Sequence, residues 1–146
     1  MMSIDANVLI YSVDMDEGPR QDGAIELLAA AARTGAALTE QSLVEFVNVS
    51  SKKMLLPLGR IRAVVQDWLA SFTLLTPGPT AVSDTLELMS RYNLSTWDAH
   101  LLAVCRRAGC NALLSEDMLD GAVYDRVQVV NPFAPKNAGL LAELLV

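Results

Sequence analysis

The chain has 146 residues, a size that fits one folded domain with a substantial core, and we expect a single domain spanning residues 1–146. Hydrophobic residues make up 52% of it and charged residues 19%, which excludes a disordered chain, and the mean hydropathy of +0.32 suggests that a partner covers some apolar surface. The net charge of −6 argues against binding nucleic acid over a broad basic face.

Short apolar runs alternate with helical patterns, which is typical of stacked β-α-β units around a parallel sheet. The first strand is predicted to end at Ser3–Asp5 and to continue into Ala6–Tyr11. Further strands are predicted at Ala37–Thr39, Phe72–Leu75, Ala112–Leu114 and Val127–Val130, and helices at Gly23–Thr34, Gln41–Met54, Arg60–Ser71, Thr80–Tyr92 and Thr96–Ala108. In the helix Arg60–Ser71, we expect Trp68 and Leu69 to pack inward.

The cysteine and histidine content limits the kinds of metal site. Cys105 and Cys110 have a spacing that suits neither a zinc site nor a disulfide framework, so we expect reduced, largely buried thiols. His100 is the only histidine, and we expect a partly exposed helix residue. No apolar run is long enough to span a membrane or direct secretion, so we expect a cytoplasmic protein.

Asp5 interrupts an otherwise apolar opening, Met1–Ile10. It should lie at the carboxyl end of the first strand, the end at which open α/β sheets bind ligands. The alternative is that Asp5 merely caps the following turn.

Asp98 heads the buried stripe of its predicted helix, because Leu101, Leu102 and Cys105 follow three, four and seven positions later. A carboxylate in that position needs a cation or hydrogen-bond donors as compensation. The alternative is an acidic first-turn residue behind a cap at Ser95 or Thr96, favoured by the helix dipole.

Two further carboxylates are candidates for the same edge of the sheet. Glu45 belongs to a polar helix stripe that is by itself an ordinary solvated face. Its helix, however, starts just after a strand and projects over the sheet edge. Glu40 is a weaker candidate for the same role. Asp117 follows the strand Ala112–Leu114 and should emerge beside Asp5, whereas Glu116 points elsewhere if the chain stays extended. The alternative for Glu116 and Asp117 is an acidic turn.

A cluster of carboxylates without histidine or thiolate partners selects a hard cation such as Mg²⁺ or Mn²⁺. Such an ion suits phosphodiester cleavage, because it neutralises the phosphate and activates a bound water. A local group of basic residues could steer phosphates although the whole chain is acidic. Its members are Lys52, Lys53, Arg60 and Arg62, and an ordinary solvated face explains them equally well.

Four segments resemble the four motifs of the PIN domain, especially its VapC-type toxin members. They are Asp5–Tyr11, Leu43–Phe46, Trp97–Ala103 and Leu113–Met118, and their order and spacing extend the resemblance over nearly the whole chain. The resemblance implies a three-layer α/β fold with a parallel sheet of strand order 3-2-1-4-5 flanked by helices. It also implies a Mg²⁺- or Mn²⁺-dependent endoribonuclease, a homodimer and inhibition by a small antitoxin.

The resemblance also assigns residues. It places the family's four acidic positions on Asp5, Glu45, Asp98 and Asp117, and its supporting polar positions on Asn7 and Ser115, beside which we count Glu116. The acidic net charge leaves room for an antitoxin segment that inserts a positive side chain among the carboxylates.

Three other functions are compatible with parts of the sequence. A haloacid-dehalogenase-like phosphatase needs a second Asp two residues after the first, where Asn7 stands. A phosphoreceiver needs an acceptor Asp after a middle strand and a late Lys, which Leu75–Pro77 and Val130–Pro132 do not supply. A non-catalytic PIN-fold module that binds RNA or protein remains the main alternative to the enzyme.

Overall fold

A six-stranded sheet forms the centre of the computed structural model, which describes residues 1–146. Its strands, in chain order, are β1 (Met2–Ile4), β2 (Ala37–Thr39), β3 (Thr73–Leu75), β4 (Ala112–Leu114), β5 (Val123–Tyr124) and β6 (Val127–Val130). The spatial order is β3-β2-β1-β4-β6-β5. All neighbours are parallel except β5 and β6, which are antiparallel.

Seven α-helices connect and cover the strands. They are α1 (Ala6–Tyr11), α2 (Pro19–Arg33), α3 (Glu40–Lys52), α4 (Leu58–Ser71), α5 (Ala81–Arg91), α6 (Thr96–Arg107) and α7 (Ala138–Leu144). None of them combines the length and apolar character needed to cross a bilayer. Parallel strands need long connections such as these helices, because a tight turn can join only antiparallel strands.

The core is divided between the two faces of the sheet. Along β4, Ala112 and Leu114 face the cluster that α1 to α4 cover, while Leu113 faces the cluster beneath α5 and α6. Both faces of this strand are buried, as expected for a parallel sheet covered on both sides, and the run Ala-Leu-Leu is therefore apolar throughout. The predicted three-layer α/β class is confirmed.

The predicted strand order needs one correction. The five predicted strands do lie in the order 3-2-1-4-5, but a two-residue strand, β5, is added at the edge beside β6. A hairpin joins these two strands through Asp125, whose φ of +55° is compatible with a tight turn. Two residues are too few for the alternating pattern that identifies a strand.

Other predictions were wrong or incomplete. Leu69 is 45% exposed rather than packed inward, because the buried stripe of α4 runs through Ile61 and the half-buried Val64 and Trp68, and Leu69 lies one position beyond it. Helix α2 begins four residues earlier than predicted, at Pro19, a residue well suited to a first helical turn. The helix α7 was not predicted.

The predictions for the two cysteines are confirmed. Cys105 and Cys110 are both buried and both free of disulfide bonds. Both belong to the core cluster beneath α5 and α6, so they act as small apolar side chains there.

Candidate active site

The register of the central strands places Asp5 beside Ser115. Ile4 of β1 is paired with Leu114 of β4, so the next residue of each strand leaves the sheet at the same edge. The Asp5 backbone N–H donates to the Leu114 carbonyl at 2.9 Å, and the Ser115 hydroxyl donates to Asp5 Oδ2 at 2.8 Å. Two positions 110 residues apart therefore share the carboxyl edge of the sheet, where α/β folds bind ligands.

Asp5 is a buried carboxylate in an electrostatically unfavourable place. Asp5 is only 7% exposed, and burial raises the pKa of its carboxyl to about 6. Hydrogen bonds from Ser115 and from the Ala6 backbone lower the pKa, while the nearby charges of Glu45 and Asp117 raise it. Asp5 Oδ1 accepts from Ala6 N at 2.7 Å, so the capping role considered as an alternative is present as well. Capping does not explain why two other carboxylates lie close by.

The side-chain amide of Asn7 connects the polar groups at this edge. Its Nδ2 lies 3.2 Å from Asp5 Oδ2, 3.2 Å from Asp117 Oδ2 and 3.3 Å from Ser115 Oγ. Two amide hydrogens cannot serve three acceptors with full strength, so the bonds are shared. The Glu116 backbone N–H donates to Asn7 Oδ1 at 3.3 Å, which fixes the orientation of the amide. Asn7, Asp5 and Ser115 are buried, whereas Asp117 is exposed, so the network runs from the protein interior to the surface.

Glu116 takes part through its backbone rather than by facing Asp5. Its carboxylate accepts from the Tyr11 hydroxyl at 2.8 Å and lies 3.5 Å from the Arg20 guanidinium. Burial and this carboxylate raise the pKa of Tyr11 to about 12. These contacts secure the segment that carries Asp117. The sequence reasoning missed them, although Tyr11 lies four positions after Asn7 on the same face of α1.

Glu45 approaches the same edge from α3. This helix begins directly after β2, with the Thr39 hydroxyl accepting from Ser42 N at 3.1 Å as its cap. Glu45 is half-buried, accepts from Gln41 Nε2 at 3.1 Å, and is close enough for its charge to raise the pKa of Asp5. Glu40, the weaker candidate, is exposed and makes no side-chain hydrogen bond.

Asp98 lies in the first turn of α6. It is half-buried, and its backbone N–H donates to the Ser95 hydroxyl at 3.1 Å, so the capped first turn considered as an alternative is present. This turn lies against α3, because Gln41 Nε2 donates to the Trp97 carbonyl at 3.0 Å and Gln41 Oε1 lies 2.7 Å from His100 Nδ1. His100 is partly exposed, as predicted.

The four candidate acids, Asp5, Glu45, Asp98 and Asp117, share the lack of a basic partner. The chain forms nine ion pairs, which occupy acids such as Asp84, Asp120 and Asp125, and none of the nine includes any of these four. Carboxylate oxygens without thiolate or paired imidazole groups form a donor set that fits a hard divalent cation.

The acids do not form a finished ligand set. No group of three or more Asp, Glu, His or Cys side chains lies close enough together to hold a metal ion. Asp5 and Asp117 both accept hydrogen bonds from the Asn7 amide, and the charge of Glu45 acts on Asp5. Asp98 is linked to them only through the contact between α3 and α6. Joint binding of one ion by all four therefore stays a prediction.

The basic residues singled out in the sequence lie outside this network. Lys52, Lys53, Arg60 and Arg62 are all exposed, and none forms an ion pair. They remain free to contact a polyanion, and their role in RNA contact stays a prediction.

Comparison with known proteins identifies the family. A family model described as the PIN domain matches residues 2–118. The chain belongs to the PIN domain family. The match covers most of the chain and includes all four candidate acids, and it confirms the resemblance drawn from the four motifs.

Solved structures share the fold of this PIN domain. A toxin–antitoxin complex from Klebsiella pneumoniae aligns with a TM-score of 0.67 at 22% identity, covering 91% of this chain and 98% of the other. The sarcin-ricin-loop-cleaving toxin VapC20 from Mycobacterium tuberculosis aligns with a TM-score of 0.63 at 15% identity, over 80% and 90% of the two chains. FitAcB from Neisseria gonorrhoeae aligns with a TM-score of 0.65 at 15% identity, covering 91% of this chain and 99% of the other. A search of curated proteins gives no match.

Proposed function

We propose that this PIN domain is a Mg²⁺- or Mn²⁺-dependent endoribonuclease and the toxin of a toxin–antitoxin pair. The observation that carries the proposal is the Asp5 carboxylate, buried at the ligand-binding edge of the sheet, beside Asp117 and Glu45, with no basic partner. Burying a carboxylate beside two like charges is unfavourable, and a divalent cation removes that penalty. A fold shared with proteins described as toxins supports the choice of reaction.

Each residue has a distinct part in the proposed reaction. Asp5, Asp117, Glu45 and Asp98 would hold the ion, while Asn7 and Ser115 keep the Asp5 carboxylate in one orientation. When bound, the ion would supply charge neutralisation at the scissile phosphate and a lowered pKa for an attacking water. A carboxylate oxygen that the ion leaves free would accept the proton of that water. Glu45 Oε2 suits this task, because Gln41 engages only Oε1 of that carboxylate.

The surface supports the partners that the proposal includes. An apolar stripe of α5, made of Val82, Leu86 and Met89, is exposed at helical spacing and suits a homodimer contact. The unpaired carboxylates favour an antitoxin that inserts a basic side chain among them. The proposal includes a cytoplasmic location, where an RNA substrate is available.

The experiment compares RNA cleavage by the wild type and by Asp5→Asn, Asp98→Asn and Asp117→Asn, with Mn²⁺, with Mg²⁺ and with a chelator. The matched control is Asp67→Asn, which changes an exposed carboxylate that forms no ion pair. We expect cleavage by the wild type and the control only when metal is present, and loss of cleavage in the three site variants. A wild type that binds RNA without cutting it would favour the non-catalytic PIN module instead.

A further inference from the structure

A wide, open cleft adjoins the candidate active site. It holds about 480 Å³ and is lined by Glu40, Gln41, Val44, Glu45, Asn48 and Trp97. Glu45 belongs to both the cleft and the proposed metal site, and Trp97 directly precedes Asp98. Whatever occupies the cleft therefore lies next to the reacting groups.

Trp97 is the most unusual side chain of this cleft. It is 67% exposed, whereas tryptophans are highly buried on average, and Val44 beside it is 60% exposed. The other tryptophan, Trp68, is half-buried and packs edge-on against Phe46, with 4.7 Å between the two ring centroids. The exposed indole and its apolar neighbour form a wall that no other part of the chain covers.

The position of Trp97 is held from two sides. Gln41 Nε2 donates to its backbone carbonyl at 3.0 Å, and its ring meets the His100 ring edge-on at a centroid distance of 6.2 Å. Gln41 Oε1 lies 2.7 Å from His100 Nδ1, so the same glutamine fixes the histidine. A ring that is already held in place loses little freedom when a ligand stacks on it.

The polar groups of the cleft indicate which ligand it accepts. Two carboxylates and two side-chain amides line it, but no basic residue does, so a phosphate is repelled. Glu40 and Asn48 make no side-chain hydrogen bonds within the protein and are free to pair with a ligand. A carboxylate accepts from an exocyclic amino group, and an amide both donates and accepts along a base edge.

We propose that this cleft binds one unpaired nucleobase with an exocyclic amino group, stacked on Trp97, next to the scissile phosphate of the RNA. The inference rests on the proposed nuclease function and specifies its substrate. Proteins read single-stranded RNA by stacking bases on aromatic side chains and bonding their edges, which is what this wall and its two free polar groups provide. A protein contact at Trp97 is an outcome that the tests below distinguish from base binding.

The first test measures binding without chemistry. In a Trp68→Phe background, Trp97 is the only tryptophan, and its fluorescence is followed in chelator as oligoadenylate, oligouridylate or an abasic oligonucleotide is added. We expect quenching by oligoadenylate, weaker quenching by oligouridylate, whose base has no amino group, and none by the abasic chain. Equal responses to the abasic chain and to oligoadenylate would overturn the inference.

The second test separates the cleft from the metal site. Trp97→Ala should raise the KM for cleavage of an adenine-containing RNA about tenfold, the size of one lost base stack, and Trp97→Phe should recover most of it. Binding of Mn²⁺ alone, measured by calorimetry, should be the same in both variants as in the wild type. Leu58→Ala, an exposed apolar change on α4, serves as the control.

The outcomes distinguish the two proposals. If the wild type cleaves RNA and Trp97→Ala does so with unchanged KM, the cleft proposal fails and the nuclease stands. If Trp97→Ala instead splits a dimer and leaves RNA affinity unchanged, Trp97 is a protein contact and the proposal also fails. If the wild type binds oligoadenylate through Trp97 but cuts no RNA, the nuclease proposal fails and the cleft proposal holds.

Discussion

The side-chain amide of Asn7 lies 3.2 Å from the carboxylate of Asp117, a residue 110 positions later in the chain. The contact is possible because β1 and β4 are parallel neighbours, so the segments that follow them emerge together. It makes an uncharged amide the link between two carboxylates that no basic residue neutralises. The stability and the chemistry of this edge are therefore coupled through one side chain.

Replacing Asn7 with alanine should impair both properties. The variant removes the shared donors of Asp5, Asp117 and Ser115, so the carboxylates lose their fixed orientation. We expect cleavage to fall by about 10–100-fold, the usual effect of losing a group that orients metal ligands. We also expect a loss of about 1–3 kcal/mol in the free energy of unfolding, because buried acceptors lose their partner. Asn93→Ala, at an exposed position without side-chain hydrogen bonds, is the control and should change neither value.

The raised pKa of Asp5 predicts how stability depends on pH. A carboxyl whose pKa rises from 3.8 to about 6 on folding favours the protonated folded state, so its contribution is fully present below pH 3.8 and is lost as the pH rises towards 6. In chelator, Asp5→Asn should therefore gain stability relative to the wild type, on the order of 3 kcal/mol between pH 4 and pH 7. Chemical denaturation at the two pH values measures the difference. A difference independent of pH would contradict the shift.

Metal should reverse that comparison. A divalent cation stabilises the charged form of Asp5, so added Mn²⁺ should raise the melting temperature of the wild type at pH 7 and leave Asp5→Asn nearly unchanged. Asp67→Asn should respond as the wild type does. Equal stabilisation of all three proteins would place the ion elsewhere.

Asp125 predicts the opposite dependence on pH. Hydrogen bonds from Arg91 and Arg106 hold the pKa of this carboxyl below its usual range. Its stabilising effect is thus present above the unfolded pKa near 3.8 and disappears as the pH falls through the folded value. Asp125→Asn, which tolerates the φ of +55°, should melt at a lower temperature than the wild type at pH 7, and the two should converge in acid. Melting curves across this range check the prediction.

Phe46 tests the packing that carries Glu45. It is fully buried, adjoins Glu45 in α3 and packs against Trp68. Phe46→Ala should lower the free energy of unfolding by about 3–5 kcal/mol, through lost burial and the cavity left behind. Leu58→Ala, at an exposed position of α4, should have little effect. A small effect at Phe46, measured by denaturant titration, would show that α3 is held mainly by other contacts.

The sequence was sufficient to predict elements whose apolar residues are bounded by polar ones. The strand Ala112–Leu114 was placed without error because apolar residues are bounded by polar ones, and Asp5 was placed at a sheet edge because it follows a buried strand. Helix α7 was missed, since seven residues without a side-chain cap give little periodic signal.

The side-chain network could not be derived in the same way. The contact between Asn7 and Asp117 depends on the register of two strands, which local patterns do not specify. The contacts of the Gln41 side chain with Trp97 and His100 depend on how α3 and α6 approach each other. Helical spacing does relate Gln41 to Glu45, so among the contacts of the Gln41 side chain only this one could be predicted from the sequence.

The most direct test of the central claim is anomalous diffraction from crystals grown with Mn²⁺ near neutral pH. The account predicts a single strong peak at the carboxyl edge of the sheet, within about 2–2.5 Å of an Asp5 oxygen and of at least one oxygen from Asp117, Glu45 or Asp98. Peaks only at other positions, or none at this edge when Mn²⁺ is saturating, would contradict it.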